Sequence, residues 1–363
     1  MSGFAYDPQR GVLANIVDVS HSVLPSVFKK YEYWCFLALH VGIKLLYVFG
    51  YLAEATDRMS MFYIDWDHVK VITALTTFFE VFYSNQCFGR YMELYSLTRN
   101  LLGTLDNFSF EMRVYVRDDH RRHLRLATRY FLASVVLFFF EAQNAPVSQN
   151  EWEQLQKFGL IQEAEKDYLD GFSKSQRSLI VLHWAAEVVQ LAIKSSGAPS
   201  NTLKELVTKL EKARDAQQAL IDMLNFPVPF AYFHLLNVML VVNLIMWAYA
   251  MALTESYFST IIFICCMTIF MGMLELANQF SNPFGDDDVD FPMNSWLSEF
   301  IEEVVVLCEY EYEPKEAGWE AELREQTSLE AKVKGAKFTL AVDELGQASQ
   351  TLGGRRQSTL ASE

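Results

Sequence analysis

Residues 230–250, FAYFHLLNVMLVVNLIMWAYA, contain no Asp, Glu, Lys or Arg, and neither do residues 256–274, SYFSTIIFICCMTIFMGML. A helix needs about 20 apolar residues to cross the hydrocarbon layer of a bilayer. Within that layer every backbone amide must find its partner inside its own segment, which leaves the helix as the solution for a single run. Only MALTE at 251–255 joins the two runs. They read as a membrane-spanning helical hairpin. The competing reading is a pair of helices buried in the core of a soluble protein.

A second pair lies closer to the N-terminus. Residues 31–53, YEYWCFLALHVGIKLLYVFGYLA, hold Lys44 well inside the run, and residues 69–88, VKVITALTTFFEVFYSNQCF, hold Glu80. A charge inside a span usually faces a bundle interior or an aqueous path. The expectation is an all-α integral membrane protein with four transmembrane helices, two and two, in contact with the lipid bilayer. No charged leader, apolar stretch and cleavage site precede them, so no secretory signal is expected.

The charge balance narrows the function. Lys and Arg number 30 against 45 Asp and Glu, a net −15. Binding to nucleic acid needs clustered cations to neutralise phosphates, so no nucleic-acid partner is expected. No Walker loop, GxSxG or GxGxxG occurs, and the seven histidines show no HxxxH pair. No enzyme is expected. The five cysteines lie in or beside apolar runs without CxxC spacing, as buried reduced thiols would.

Between the hydrophobic pairs, residues 111–130 place Arg113, Arg117, Arg121, Arg122, Arg125 and Arg129 at helical spacing. They read as a solvated helix face or as an anion-attracting vestibule. The apolar run that follows, 131–140, spans about ten residues, too few to cross a bilayer. Residues 179–194 look similar, and 202–224 are amphipathic with helical period. A helical layer outside the membrane is expected over 101–225, on the cytoplasmic-type face by the positive-inside rule. The expected organisation is an N-terminal segment 1–30, a first helix pair 31–100, this layer, a second pair 226–281, an acidic turn and helix 282–313, and a polar tail 314–363 with a disordered end.

The acidic turn is QFSNPFGDDDVDFPMNSW at 279–296. Pro283 and Gly285 end the helix beside the membrane. Ten acids then fall between Asp286 and Glu313 with no Lys or Arg. Hard oxygen ligands on a flexible loop suit Ca²⁺. A solvated cluster at a helix N-terminus accounts for the same residues equally well.

NPFGDDDVDF after a final hydrophobic helix resembles the bestrophin family of pentameric anion channels. HLRLATRYFLASVVL at 123–137, FGLIQEAEKDYLDGF at 158–172 and SNQCFGRYMELYSL at 84–97 resemble further family segments in the same order. The resemblance implies a homopentamer conducting chloride, and bicarbonate as a further permeant ion. It implies a Ca²⁺ clasp with carboxylates from Asp287 and Asp290 and carbonyls from Gln279 and Asn282. Asp286 and Val289 depart from the animal pattern, and FPMN from 291 is closer to the calcium-independent branch. The family's apolar neck, anchored on Arg90, Tyr91 and Glu93, falls on Val71, Leu75 and Phe79. A one-residue shift gives Ile72, Thr76 and Glu80, a cation path, and a packing stripe of a helix bundle is the plain alternative. The second narrowing, the aperture, falls on Asn201, where animal members are apolar. Tails in the family can inhibit the pore, which nominates Phe338 to Val342. Relatives sit in plasma or reticular membranes or, in plants and algae, in thylakoids. A membrane scaffold or docking protein, with the acidic region as partner surface, is the rival reading.

Overall fold

The computed structural model describes residues 11, 15–16, 19, 22–116, 121–142, 149–285 and 289–309. The described residues are helical and connecting segments, with no strand among them. The helices are α1 (Leu24–Lys29), α2 (Tyr31–Val48), α3 (Trp66–Tyr115), α4 (Arg121–Ala142), α5 (Gln149–Lys157), α6 (Glu163–Asp170), α7 (Lys174–Ser196), α8 (Ser200–Asn225), α9 (Phe230–Ala252), α10 (Phe258–Ser281) and α11 (Met293–Glu309).

Local signals set the boundaries. Asp65 caps α3 by accepting from the Asp67 amide at 3.0 Å. Glu165 reaches back to the Gln162 amide at 2.8 Å at the start of α6. Gly197, at φ +66, ends α7 in the left-handed region that a side chain disfavours. Pro199 and Pro229 immediately precede α8 and α9, where a missing N–H costs nothing.

Helix α3 runs unbroken for 50 residues, about 75 Å at 1.5 Å per residue. The expected border at residue 100 therefore falls inside one helix. Its first part packs against α9 and α10, and its later part against α8 and α4. The later part enters a large core with α4, α7, α8 and α11 that includes Leu94, Phe108, Phe131, Leu137, Ala185 and Leu206. A smaller core joins Val27, Tyr33, Leu244, Phe263 and Met267 from α1, α2, α9 and α10.

By length and apolar content alone, four helices are able to cross a bilayer: 122–142, 176–196, 230–252 and 258–281. The second hydrophobic pair matches the sequence expectation. The first two are helices expected outside the membrane, and burial sets 122–142 apart from the hairpin, whereas 176–196 and 230–252 are equally buried at 44%. The apolar window of 122–142 is 67% buried inside the protein, against 33% for 258–281. Phe131, Val135, Leu137 and Phe138 of α4 are spent on the core with α7 and α8. Exposed apolar side chains lie instead on α2 (Leu39, Val41, Leu45, Leu46), on the start of α3 (Val71, Leu75, Phe78, Phe82), on α9 (Val238, Val241, Val242) and on α10 (Ile261, Ile262, Ile269). These four segments carry the exposed apolar surface that a membrane unit needs, whereas the apolar side chains of α4 pack against α7 and α8.

Two buried polar side chains of α2 are paired across helices, as an apolar medium favours. His40, fully buried, bonds the Ala248 carbonyl at 3.0 Å and the Thr260 hydroxyl at 3.1 Å. Lys44 donates to the carbonyls of Thr254 and Ser256, fastening the α9–α10 turn to α2. Of the described thiols Cys87 is buried, whereas Cys35 and Cys265 are exposed on the apolar faces of α2 and α10. For those two the expectation of burial fails, because a lipid-facing position is apolar without being internal.

Candidate functional site

The turn after α10 is held from both ends. The Phe291 amide donates to the Pro283 carbonyl at 2.9 Å, closing the loop. Pro283 and Phe284 are buried, and Phe284 meets Phe291 edge-on at 5.5 Å. Phe291 also packs on Tyr91 at 4.9 Å and Trp296 at 5.5 Å. The Tyr91 hydroxyl donates to the Val289 carbonyl at 2.9 Å. Burial, then the nearby Asp290 carboxylate, raises the Tyr91 hydroxyl above its ordinary pKa. Residues of α3 thus form one wall of the turn.

Of the expected ligands, Asp290 and Asn282 flank the same glycine. A Cβ on Gly285 would lie 2.9 Å from Asp290 Oδ2 and 4.0 Å from the Asn282 carbonyl oxygen. Gly285 has no positive φ, so its lack of a side chain serves the carboxylate and not the backbone. Gln279 lies in the last turn of α10, where carbonyls have no partner within the helix. The Asn282 carbonyl and the Asp290 carboxylate, both within 4.0 Å of a Cβ on Gly285, are oxygen donors of the type a hard cation takes. Asp287 lies outside the described residues, and no group of three His, Cys, Asp or Glu side chains gathers for a metal among the described ones.

The start of α3 carries the three residues expected to form a constriction. Val71 and Leu75 are 60% and 50% exposed. Phe79 is not on that face: it is half-buried, its ring 5.9 Å from Tyr232, whose hydroxyl donates to the Phe79 carbonyl at 3.0 Å. The exposed aromatics are Phe78 and Phe82. At 100° per residue, 71, 75, 78 and 82 share one stripe and 79 stands off it. The alternative register is turned inward, with Thr76 and Glu80 buried against α9 and α10. The expected series does not include Phe78 and Phe82, which are exposed beside Leu75. An i, i+3, i+7 stripe from Leu75 was available, whereas the i, i+4, i+8 rule drifts by 80° over eight residues.

Asn201 is exposed in the first turn of α8. The Arg90 guanidinium donates to the carbonyls of Met223 and Phe226, each at 2.7 Å, tying α3 to the end of α8. Phe338 and Val342 lie outside the described residues.

A second acidic region flanks the turn. Asp106 on α3 and Glu299, Glu302 and Glu303 on α11 line an open cleft of about 720 Å³. Burial, with Glu303 beside it, pushes the Asp106 carboxyl up to about 6 against the pull of Arg99.

A family model described as "Bestrophin, RFP-TM, chloride channel" matches residues 11–309. Bestrophin homolog 5 of Caenorhabditis elegans is 26% identical over 235 residues, covering 59% of this chain and 50% of that protein. The chain therefore spans about half the length of the curated relative it matches. A bacterial bestrophin homolog from Klebsiella pneumoniae superposes with a TM-score of 0.64 at 15% identity, over 76% of this chain and 98% of that one. Its W252A variant gives a TM-score of 0.65 at 15% identity, over 77% and 97%. At that identity the likeness establishes the fold.

Proposed function

This chain belongs to the bestrophin family, and we propose that it forms a homopentameric anion channel conducting chloride, with bicarbonate as a second permeant ion. One observation carries the reading. The subunit leaves an apolar stripe, Val71, Leu75, Phe78 and Phe82, uncovered on α3 while turning Thr76 and Glu80 inward.

Five copies of α3 around an axis would line a passage with that stripe. A narrow apolar tube holds water poorly and gates by dewetting. Chloride, weakly hydrated, tolerates such walls better than a small hard cation. Phe79, braced by Tyr232, acts as the buttress behind the lining. Asn201 forms the second, wetter narrowing.

We further propose that Asp290 and Asp287, with the carbonyls of Gln279 and Asn282, hold Ca²⁺ in the turn. Bound Ca²⁺ would supply the positive charge that lets these oxygens lie together. The tail segment Phe338 to Val342 is proposed to restrain the channel, and currents unchanged by truncation at 330 would remove that role.

Planar-bilayer recording under a chloride gradient, with and without Ca²⁺, tests the reading. A reversal potential near the chloride value is expected. One near zero or at the cation value overturns anion selectivity. The acidic cleft of Asp106, Glu299, Glu302 and Glu303 favours a second reading, a membrane scaffold that docks a basic partner. Reconstituted protein that passes no anions would favour it.

A further inference from the structure

Outside the passage and the turn, the layer formed by α4, α11 and the 158–160 loop contains a two-part cleft that the channel reading does not use. Its first part, about 210 Å³, is lined at one end by Arg125, Thr128 and Arg129 and elsewhere by apolar side chains, among them Leu132, Leu160 and Val304. Its second part, about 540 Å³, includes Val136, Phe140, Leu297 and Ile301 in its wall. Phe158 and Leu160 border both parts, so the two meet there.

The polar end has unmet capacity. Thr128 is only 2% exposed, and its hydroxyl has no hydrogen-bond partner. The Arg129 Nε is buried without a partner as well. Leaving such groups unpaired is unfavourable, and an acceptor arriving between them removes the penalty. The charge is also defined. Glu165 neutralises Arg129 through a 2.6 Å ion pair, whereas Arg125 is exposed and makes no ion pair among the described residues. One positive charge is left over, which matches a monoanion better than a dianion. At the far end the wall holds one cation, Lys157, and one anion, Glu302.

We propose that this cleft binds a medium-chain fatty acid. The carboxylate accepts hydrogen bonds from Thr128, Arg129 Nε and Arg125. The chain passes Leu160 into the space between Phe140 and Ile301. A small set of placed polar groups above an apolar floor is the usual form of such a site. The cleft belongs to the layer outside the membrane unit, so a ligand there enters from the aqueous side.

The test is native mass spectrometry of the full chain, released from micelles after incubation with dodecanoate, dodecanol or dodecyltrimethylammonium. The expected result is saturable binding of a single dodecanoate per subunit, with the alcohol and the cation binding more weakly. Arg125→Gln, at an exposed position where folding is not at risk, is expected to weaken dodecanoate by about tenfold, the scale of a lost charge-assisted hydrogen bond. Ile301→Trp fills the chain-binding part and is expected to reduce dodecanoate and dodecanol alike, with circular dichroism confirming the fold. Three results would each overturn the proposal: no dodecanoate bound, dodecanol bound as tightly as dodecanoate, or Arg125→Gln binding like the unaltered chain.

Discussion

The Tyr91 hydroxyl and the Val289 carbonyl, 198 positions apart in the chain, are joined by a 2.9 Å hydrogen bond. It links the helix that carries the apolar stripe to the turn that follows α10. Tyr91→Phe keeps the ring contacts with Phe280 and Phe291 and deletes only this bond. The expected loss is about 1 kcal/mol, read as a lower thermal midpoint in detergent. Any Ca²⁺ response should shift to higher concentration, because the turn is then less well ordered before the ion arrives.

Gly285→Ala should act on the same turn by a different route. The added Cβ would sit 2.9 Å from Asp290 Oδ2 and must displace it. Calcium titration by calorimetry is expected to show affinity reduced by about tenfold, and Asp290→Ala no binding in the turn. Unchanged affinity in both variants would remove Asp290 from the ligand set.

The two faces of α3 should respond oppositely to truncation. Leu75→Ala and Phe78→Ala are expected to raise single-channel conductance and leave the thermal midpoint nearly unchanged. Phe79→Ala should instead destabilise the subunit, by about 3 kcal/mol on the scale of phenylalanine truncations, because it strips the packing on Tyr232. If Phe79→Ala alters conductance with no stability loss, the stripe is assigned to the wrong face.

Asp106 gives a pH signature. Its carboxyl rises from the ordinary 3.8 to about 6 in the folded chain. Between those values the native state holds the proton more tightly than the unfolded state, so stability falls as pH rises through that window. The penalty is fully present above about pH 6. Asp106→Asn is expected to stabilise the protein at pH 7.5 by about 1 kcal/mol, a figure reduced for solvent screening of a partly exposed group. It should also flatten the slope of thermal midpoint against pH between 4 and 6.

Lys44→Met tests the membrane end. The ammonium serves the carbonyls of Thr254 and Ser256 in the α9–α10 turn. Removing it leaves those oxygens short of donors, at a cost of about 1–3 kcal/mol. A reduced thermal midpoint with unaltered reversal potential is the expected outcome.

The hairpin of α9 and α10 was legible in the sequence because charge-free runs of that length have few other uses. The turn was legible because Pro, Gly and clustered Asp are local signals. Of the expected neck residues, Val71 and Leu75 are exposed and Phe79 is half-buried, because an i, i+4, i+8 series turns 80° around the helix over eight residues. Residues such as Arg90 and Tyr91 were beyond reach for another reason. Their partners, at 223, 226 and 289, are distant in the chain, and a side chain's partner is decided by packing. Helix α4 shows the converse limit, since its apolar run has the composition of a membrane span and only its burial against α7 and α8 tells the two apart.

Because α3 runs without a proline from Trp66 to Tyr115, in the proposed channel the apolar stripe and the core around Phe108 would be two ends of a single strut. A tilt imposed at the end near Arg113 would be felt at Val71 as a sideways sweep, in the manner of an oar in its rowlock, with Arg90 as the pin. In the proposed channel, widening the passage would then be a matter of leverage on the whole rod, and ligands far from the bilayer would gain a mechanical handle on ion flow.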